Sequence, residues 1–140
     1  MLADARARDR RAGLWLKRWG PAAGMMAFIF ILSSRPTLPD FGLFSIVIEG
    51  KDYSDKLKHF IAYALLGALI WRALRGGGWR RVGATVLIGT LYGLTDEIHQ
   101  IYVPGRSFEF LDIAADGLGA FTAAAVLMLF KGGVVDGKRR

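Results

Sequence analysis

The feature that most constrains this chain is a set of four apolar segments of helical rather than strand length, each bounded by charge. They cover residues 21–32, with an amphipathic lead-in from Leu14, then 57–74, 82–103 and 113–130. Buried strands need only four to eight residues, so runs of this length belong to helices. The second and fourth contain 18 residues each, roughly 27 Å of helix against a hydrocarbon core of about 30 Å. A soluble bundle of the same lengths would carry a polar stripe at a period of 3.6 residues along each helix. Residues 64–70 and 125–130 are apolar all round. The expectation is an all-α fold, a four-transmembrane-helix bundle with both termini cytoplasmic.

Charge sets that orientation, because short cytoplasmic loops retain Lys and Arg. With the N-terminus inside, 14 of the 19 basic residues but only Asp4, Asp9 and Asp136 of the 12 acids fall on the inner side. Trp15, Trp19, Trp71 and Trp79 lie at the same inner ends, where amphipathic rings favour the headgroup layer. The net charge of +7 therefore reads as a topology signal and not as a nucleic-acid surface, which would gather its basic residues on one soluble face. The absence of cysteine excludes disulfides, thiolate metal sites and a Cys nucleophile. The basic start followed by an apolar run also resembles a cleaved signal, but no Ala-x-Ala site follows, and an uncleaved first span is expected. The domain reading is a basic cytoplasmic segment over 1–20, a membrane domain over 21–131 and a basic cytoplasmic tail over 132–140. The loop 35–54 holds Pro36, Pro39 and an apolar patch at 43–48, read as a short interfacial segment.

Polar residues are distributed unevenly along the spans. The second begins with Asp55, Lys56, His59 and Tyr63, with Asp55 and His59 four apart and Lys56, His59 and Tyr63 at i, i+3, i+7, hence on one helical side. The third ends with Asp96, Glu97, His99 and Gln100, while Gly89, Gly93 and Glu97 step by four along another face. The fourth opens with Asp112 and Asp116, and Arg106 sits in the turn Pro104-Gly105-Arg106 between them. All these clusters lie at the outer ends. A charge in hydrocarbon is unfavourable by about 2.5–3.5 kcal/mol on insertion scales, so the groups should face one another in an outward-facing polar pocket. Lys56 and Arg106 are the cations at hand for Asp96, Glu97, Asp112 and Asp116. At least two carboxylates are then shared, protonated or matched from outside by a cation or a positively charged ligand group. Gly89, Gly93, Ala115, Gly119 and Ala123 read as helix-packing positions, and a backbone touching Gly93 would hold Glu97 against a neighbouring helix.

The order and spacing of these residues resemble the VanZ-like family. Its pattern is met by Asp55-Lys56, His59, Tyr63 and Leu66-Gly67, then Asp96-Glu97 and Gln100, then Pro104-Gly105-Arg106, then Asp112 and Gly119. The motif core spans 55–119; the departure is Asp116, where the pattern has Asn. The resemblance implies a small multi-pass protein of the cell envelope, in the inner (cytoplasmic) membrane, in a family whose reaction is not established and some of whose members are tied to resistance to the glycopeptide teicoplanin.

Three functional readings follow. The leading one is a binding module, not an enzyme, whose pocket engages an envelope lipid, a lipid-linked cell-wall precursor or an amphiphilic glycopeptide antibiotic through Asp55, Lys56, His59, Tyr63, Asp96, Glu97, Gln100, Arg106, Asp112 and Asp116. It requires no cofactor and no nucleic acid, only the lipid bilayer. The second is an enzyme on a lipid-linked phosphate or glycan, with His59 or Glu97 as acid or base and a divalent cation at Asp96, Asp112 and Asp116. The third is a proton- or ion-coupled carrier titrating at Glu97, which would need a homo-oligomer because the inner half of the spans lacks polar residues. Against all three stand plainer readings: an interfacial helix start at Asp55–Tyr63, with His99 as one more interfacial side chain, and a structural salt-bridge network that sets the bundle's register.

Overall fold

The computed structural model describes residues 2–36, 47–48 and 51–136. It contains four helices: α1 (Leu2–Ser33), α2 (Ser54–Ala73), α3 (Gly78–Gln100) and α4 (Phe110–Asp136). The all-α expectation holds apart from one short antiparallel pairing, β1 (Val47–Ile48) with β2 (Lys51–Asp52), in register Val47 with Asp52 and Ile48 with Lys51. Of the apolar patch 43–48, only Val47 and Ile48 fall within the described residues, and they are extended.

The lead-in and the first apolar run form one continuous helix through Pro21. Proline has no N–H, so the carbonyl four residues earlier, that of Lys17, loses its helical donor. The Arg72 guanidinium supplies one, donating to the Lys17 carbonyl at 3.0 Å. The last carbonyls of α2 are met in the same way: Arg18 donates to Ala73 at 2.5 Å, and Arg81 donates to Trp71 while lying over the Trp71 ring at 4.3 Å. Basic residues that read as orientation signals thus also satisfy helix-end acceptors, where a cation is favoured by the helix dipole.

α4 lies most extensively against α2 and next against α3, and α1 rests chiefly on α2. The closest approach is made by small residues. A Cβ on Gly67 would fall 2.7 Å from the Ala120 Cα, and one on Gly119 would fall 2.9 Å from the Ala64 N and nearer still to the Phe60 carbonyl oxygen. Backbone meets backbone along the α2–α4 seam. At Gly93 the neighbour is the Asp116 side chain and not a backbone, and at Gly89 it is the Ala120 Cβ. The core above the seam joins Ala22, Ile29, Tyr63, Leu66 and Ile70, with Trp71, Val82 and Ala124 clustered at the other end.

The bundle is inverted relative to a water-soluble one. Leu65, Leu87, Leu91, Phe121, Leu129 and Phe130 are 42% to 71% exposed, whereas Asp96, Glu97, Gln100, Asp112 and Asp116 are at most 5% exposed. Among the described residues one helical stretch, Phe110–Phe130, is long and apolar enough to cross a membrane by length and composition. α1, α2 and α3 carry more charge in and around their apolar runs.

Candidate functional site

Helical spacing places the polar residues, and the α2–α4 seam joins them. His59 and Tyr63 are one turn apart on the face of α2 that packs inward, their rings parallel within 8° and 6.2 Å between centroids. Phe60, next to His59, touches Gly119, one turn from Asp116. That contact brings the His59 Nδ1 to 2.9 Å from the Asp116 Oδ1, and both side chains are buried. The His59 Nε2 looks the other way, 3.9 Å from the Asp112 Oδ2. In the neutral tautomer in which Asp116 accepts from Nδ1–H, Nε2 is the nitrogen with a lone pair to offer.

Lys56 spans the opening of the site. Its ammonium pairs with Glu109 and with the Asp112 Oδ1 at 3.1 Å. Partial burial works against that charge, but hydrogen bonds from the ammonium to Glu109 and Asp112, and the charges of both carboxylates, outweigh it. The pKa of Lys56, just before the apolar run of α2, is raised above 10.5.

The acids of α3 are held by neutral donors. The Ser33 hydroxyl donates to the Asp96 Oδ1 at 2.6 Å, and the Gln100 amide donates to the Asp96 Oδ2 at 3.4 Å and to the Glu97 Oε1 at 3.2 Å. The Glu109 backbone N–H donates to the Glu97 Oε2 at 2.8 Å, while the Glu109 carbonyl accepts from the Asp112 N–H in the first turn of α4. One residue therefore ties α3, α4 and, through its side chain, Lys56 of α2.

Eight of the ten expected site residues converge: Lys56, His59, Tyr63, Asp96, Glu97, Gln100, Asp112 and Asp116. Asp55 and Arg106 instead meet at the rim, 3.8 Å apart, with Lys58 3.1 Å from Asp55. Gly105, at φ 80°, takes the left-handed conformation that turns the chain there. Sequence reasoning missed Ser33 and Glu109. Ser33 is the last residue of α1, and the signal for Glu109 was its place one turn before Asp112. His99 belongs elsewhere, joining α3 to α1 through Ser34 at 2.9 Å and the Phe30 ring at 4.3 Å.

A cavity of about 70 Å³ opens between α1 and the cluster, lined by Ile29, Leu32, Ser33, Lys58, His59, Ala62, Tyr63, Asp96 and Arg106. His59, Glu97 and Asp112 each offer a ligand atom within 4.8 Å of the others. These three could close on a cation, with Asp116 as the carboxylate that orients the imidazole from behind.

In a comparison with protein families, the model of VanZ/LLP1 matches residues 19–131. The chain belongs to the VanZ/LLP1 family. The match takes in α2, α3 and the whole polar cluster, along with the apolar part of α1 and α4 to residue 131. No curated protein and no solved structure matches the chain. Membership is consistent with a membrane-associated protein, as is the apolar stretch of α4. Relative to the pattern, Asp116 is the distinctive position, and here it is the partner of His59.

Proposed function

We propose that this VanZ/LLP1 protein is a multi-pass membrane protein, termini on the cytoplasmic side, whose outer-end pocket binds the polar head of an envelope amphiphile. That amphiphile is a membrane lipid, a lipid-linked cell-wall precursor or an amphiphilic glycopeptide. The observation that carries the reading is the inversion of the bundle: buried acids gather at one end, where Asp96 lines a cavity, while large apolar side chains face outward. In water such a surface would aggregate; in a bilayer it is solvated by lipid, and the polar end meets the headgroup layer. The Lys and Arg ion pairs among the described residues lie at that end, and the basic caps lie at the other. Among the described residues, the buried inner half is Leu66, Ile70, Trp71, Ala73, Val82, Ala124 and Thr85, and the Thr85 hydroxyl is spent on the Arg81 carbonyl at 2.9 Å, which argues against a continuous polar path and a carrier.

Topology is tested directly because the chain has no cysteine of its own. Ser107→Cys, in the exposed turn before α4, should react with an impermeant maleimide in intact cells, and Gly77→Cys only after permeabilisation; the reverse pattern would overturn the orientation. Binding is tested by native mass spectrometry of detergent-purified wild type and Ala62→Leu, which fills the cavity. A co-purifying amphiphile should be lost in the variant.

The buried Asp116–His59 pair favours a second reading, in which His59 acts as general base on a lipid-linked phosphate or glycan. A carboxylate that orients an imidazole is the arrangement such a base needs. Turnover of a defined lipid substrate that survives His59→Gln would exclude it.

A further inference from the structure

Three helices each bring one metal-ligating side chain to the same buried spot. His59 of α2, Glu97 of α3 and Asp112 of α4 are at most 8% exposed, and each has a ligand atom within 4.8 Å of the other two. Acids gathered at one end of a bundle are not by themselves a site, but the hydrogen bonding around these three does not close. The Asp112 Oδ1 and the Asp116 Oδ2 are sealed from solvent and receive no hydrogen bond among the described residues. The Asp112 Oδ2 faces the His59 Nε2 across 3.9 Å, beyond hydrogen-bond reach. Buried polar atoms are rarely left unmatched in this way.

What is missing is positive charge. Among the described residues, the carboxylates Asp96, Glu97, Glu109, Asp112 and Asp116 have one basic side chain between them, Lys56. It pairs with Glu109, stands 3.1 Å from the Asp112 Oδ1 without a hydrogen bond, and reaches Oδ2 only at 3.4 Å. Lys58 and Arg106 are turned to Asp55 at the rim. A proton on the His59 Nε2 would add a single charge; a divalent cation adds two, at a place where uncompensated charge is most costly.

The imidazole is also oriented for a metal. With its proton on Nδ1, accepted by Asp116 at 2.9 Å, His59 presents the Nε2 lone pair to Asp112. A carboxylate behind the histidine is the usual outer partner of a metal ligand, and ligating carboxylates are themselves hydrogen-bonded. Glu97 meets that condition, accepting from Gln100 at 3.2 Å and from the Glu109 N–H at 2.8 Å, and each oxygen keeps a further lone pair. Ligand atoms about 2.1 Å from zinc stand about 3.4 Å apart in a tetrahedron. No pair within 4.8 Å then has to close by more than about 1.4 Å.

We infer that His59, Glu97 and Asp112 bind one divalent transition-metal ion, zinc or manganese, with Asp116 as the positioning residue behind the imidazole. One nitrogen and two carboxylates favour such an ion over magnesium, which prefers an all-oxygen shell. The ligand set differs from the divalent site expected at Asp96, Asp112 and Asp116, because Ser33 and Gln100 occupy Asp96 and His59 occupies Asp116. Three protein ligands leave a coordination position for water or an anionic oxygen. The metal takes the lone pair that the general-base reading of His59 requires, so the two exclude each other; amphiphile binding is a separate question.

The full-length protein, purified in a neutral detergent without a polyhistidine tag and stripped with a chelator, is titrated with zinc, manganese and magnesium chlorides, and bound metal is counted by mass spectrometry. Wild type should take one zinc or manganese ion per chain, and zinc at least about tenfold more tightly than magnesium. His59→Gln and Asp112→Asn should each weaken zinc at least about a hundredfold. Asp116→Asn, which keeps an acceptor for Nδ1–H but not the charge, should weaken it about tenfold, the lower end for an outer partner. His99→Gln, at the α1–α3 contact, should leave it unchanged. The wild-type result decides alone if a variant fails to fold: no uptake of zinc or manganese, or magnesium bound as tightly as zinc, would overturn the inference. Uptake undiminished in folded His59→Gln and Asp112→Asn would place the ion elsewhere and overturn it too.

Discussion

Gly119→Ala tests whether the α2–α4 seam builds the site. The added Cβ would stand 2.9 Å from the Ala64 N and 3.2 Å from the Phe60 carbonyl carbon, with the Phe60 oxygen closer still. Ordinary contacts begin near 3.4 Å, and every obstructing atom is backbone, so no side chain can rotate away and the helices must part. Overpacking of this kind costs about 1–3 kcal/mol. A backbone-on-backbone contact belongs at the upper end, partly offset by about 1 kcal/mol of better helix propensity. The net expectation is a loss of about 2 kcal/mol. Gly83→Ala is the internal control: it lies within α3 with nothing inside 4 Å of the new Cβ, so only the propensity gain applies. Detergent unfolding followed by fluorescence of the four tryptophans should move the two variants in opposite directions. The seam also sets the 2.9 Å contact of His59 with Asp116, so a double-mutant cycle of Gly119→Ala with His59→Gln should show coupling above about 0.5 kcal/mol. Equal stability of the two alanine variants, or simple additivity in the cycle, would refute the reasoning.

Three further outcomes are expected. The pKa of Lys56 is raised in the fold, so its stabilising contribution should be complete below about pH 10.5 and decline as pH rises through the higher folded value. Lys56→Met should lower stability near neutrality and flatten that alkaline decline in a pH series of unfolding curves. Glu97→Gln should lose about 1–3 kcal/mol of stability, because an amide cannot accept at both oxygens and one of the Gln100 and Glu109 donors would face an NH₂ group; thermal unfolding no lower than wild type would show that these bonds are not held. Arg72→Met should cost about 1 kcal/mol by leaving the Lys17 carbonyl opposite Pro21 without its donor. The same assay should find that replacing Pro21 by Ala as well removes most of that cost, since the helix then supplies the N–H itself.

What could be read from the chain alone was local. The helices are set by runs of apolar residues, and the polar end of each span follows from residues three, four and seven apart, such as Lys56, His59 and Tyr63. Those spacings hold whatever the helix packs against, which is why eight of ten expected site residues converge. Partner choice was not local. Lys56 chose Glu109 as well as Asp112, Arg106 turned to Asp55 at the rim, and Ser33 reached Asp96. Each depends on how far a helix is rotated and how closely it approaches, and no spacing along one helix encodes that. The glycines make the same distinction. Their steps of four announced close packing, but only the assembled bundle placed backbone on Gly67 and Gly119 and a carboxylate on Gly93. The sequence by itself determined which residues share a face and which end of each helix is polar. The tertiary structure decided which charge each one meets, because that depends on distances between helices fixed by the seam and not by the chain.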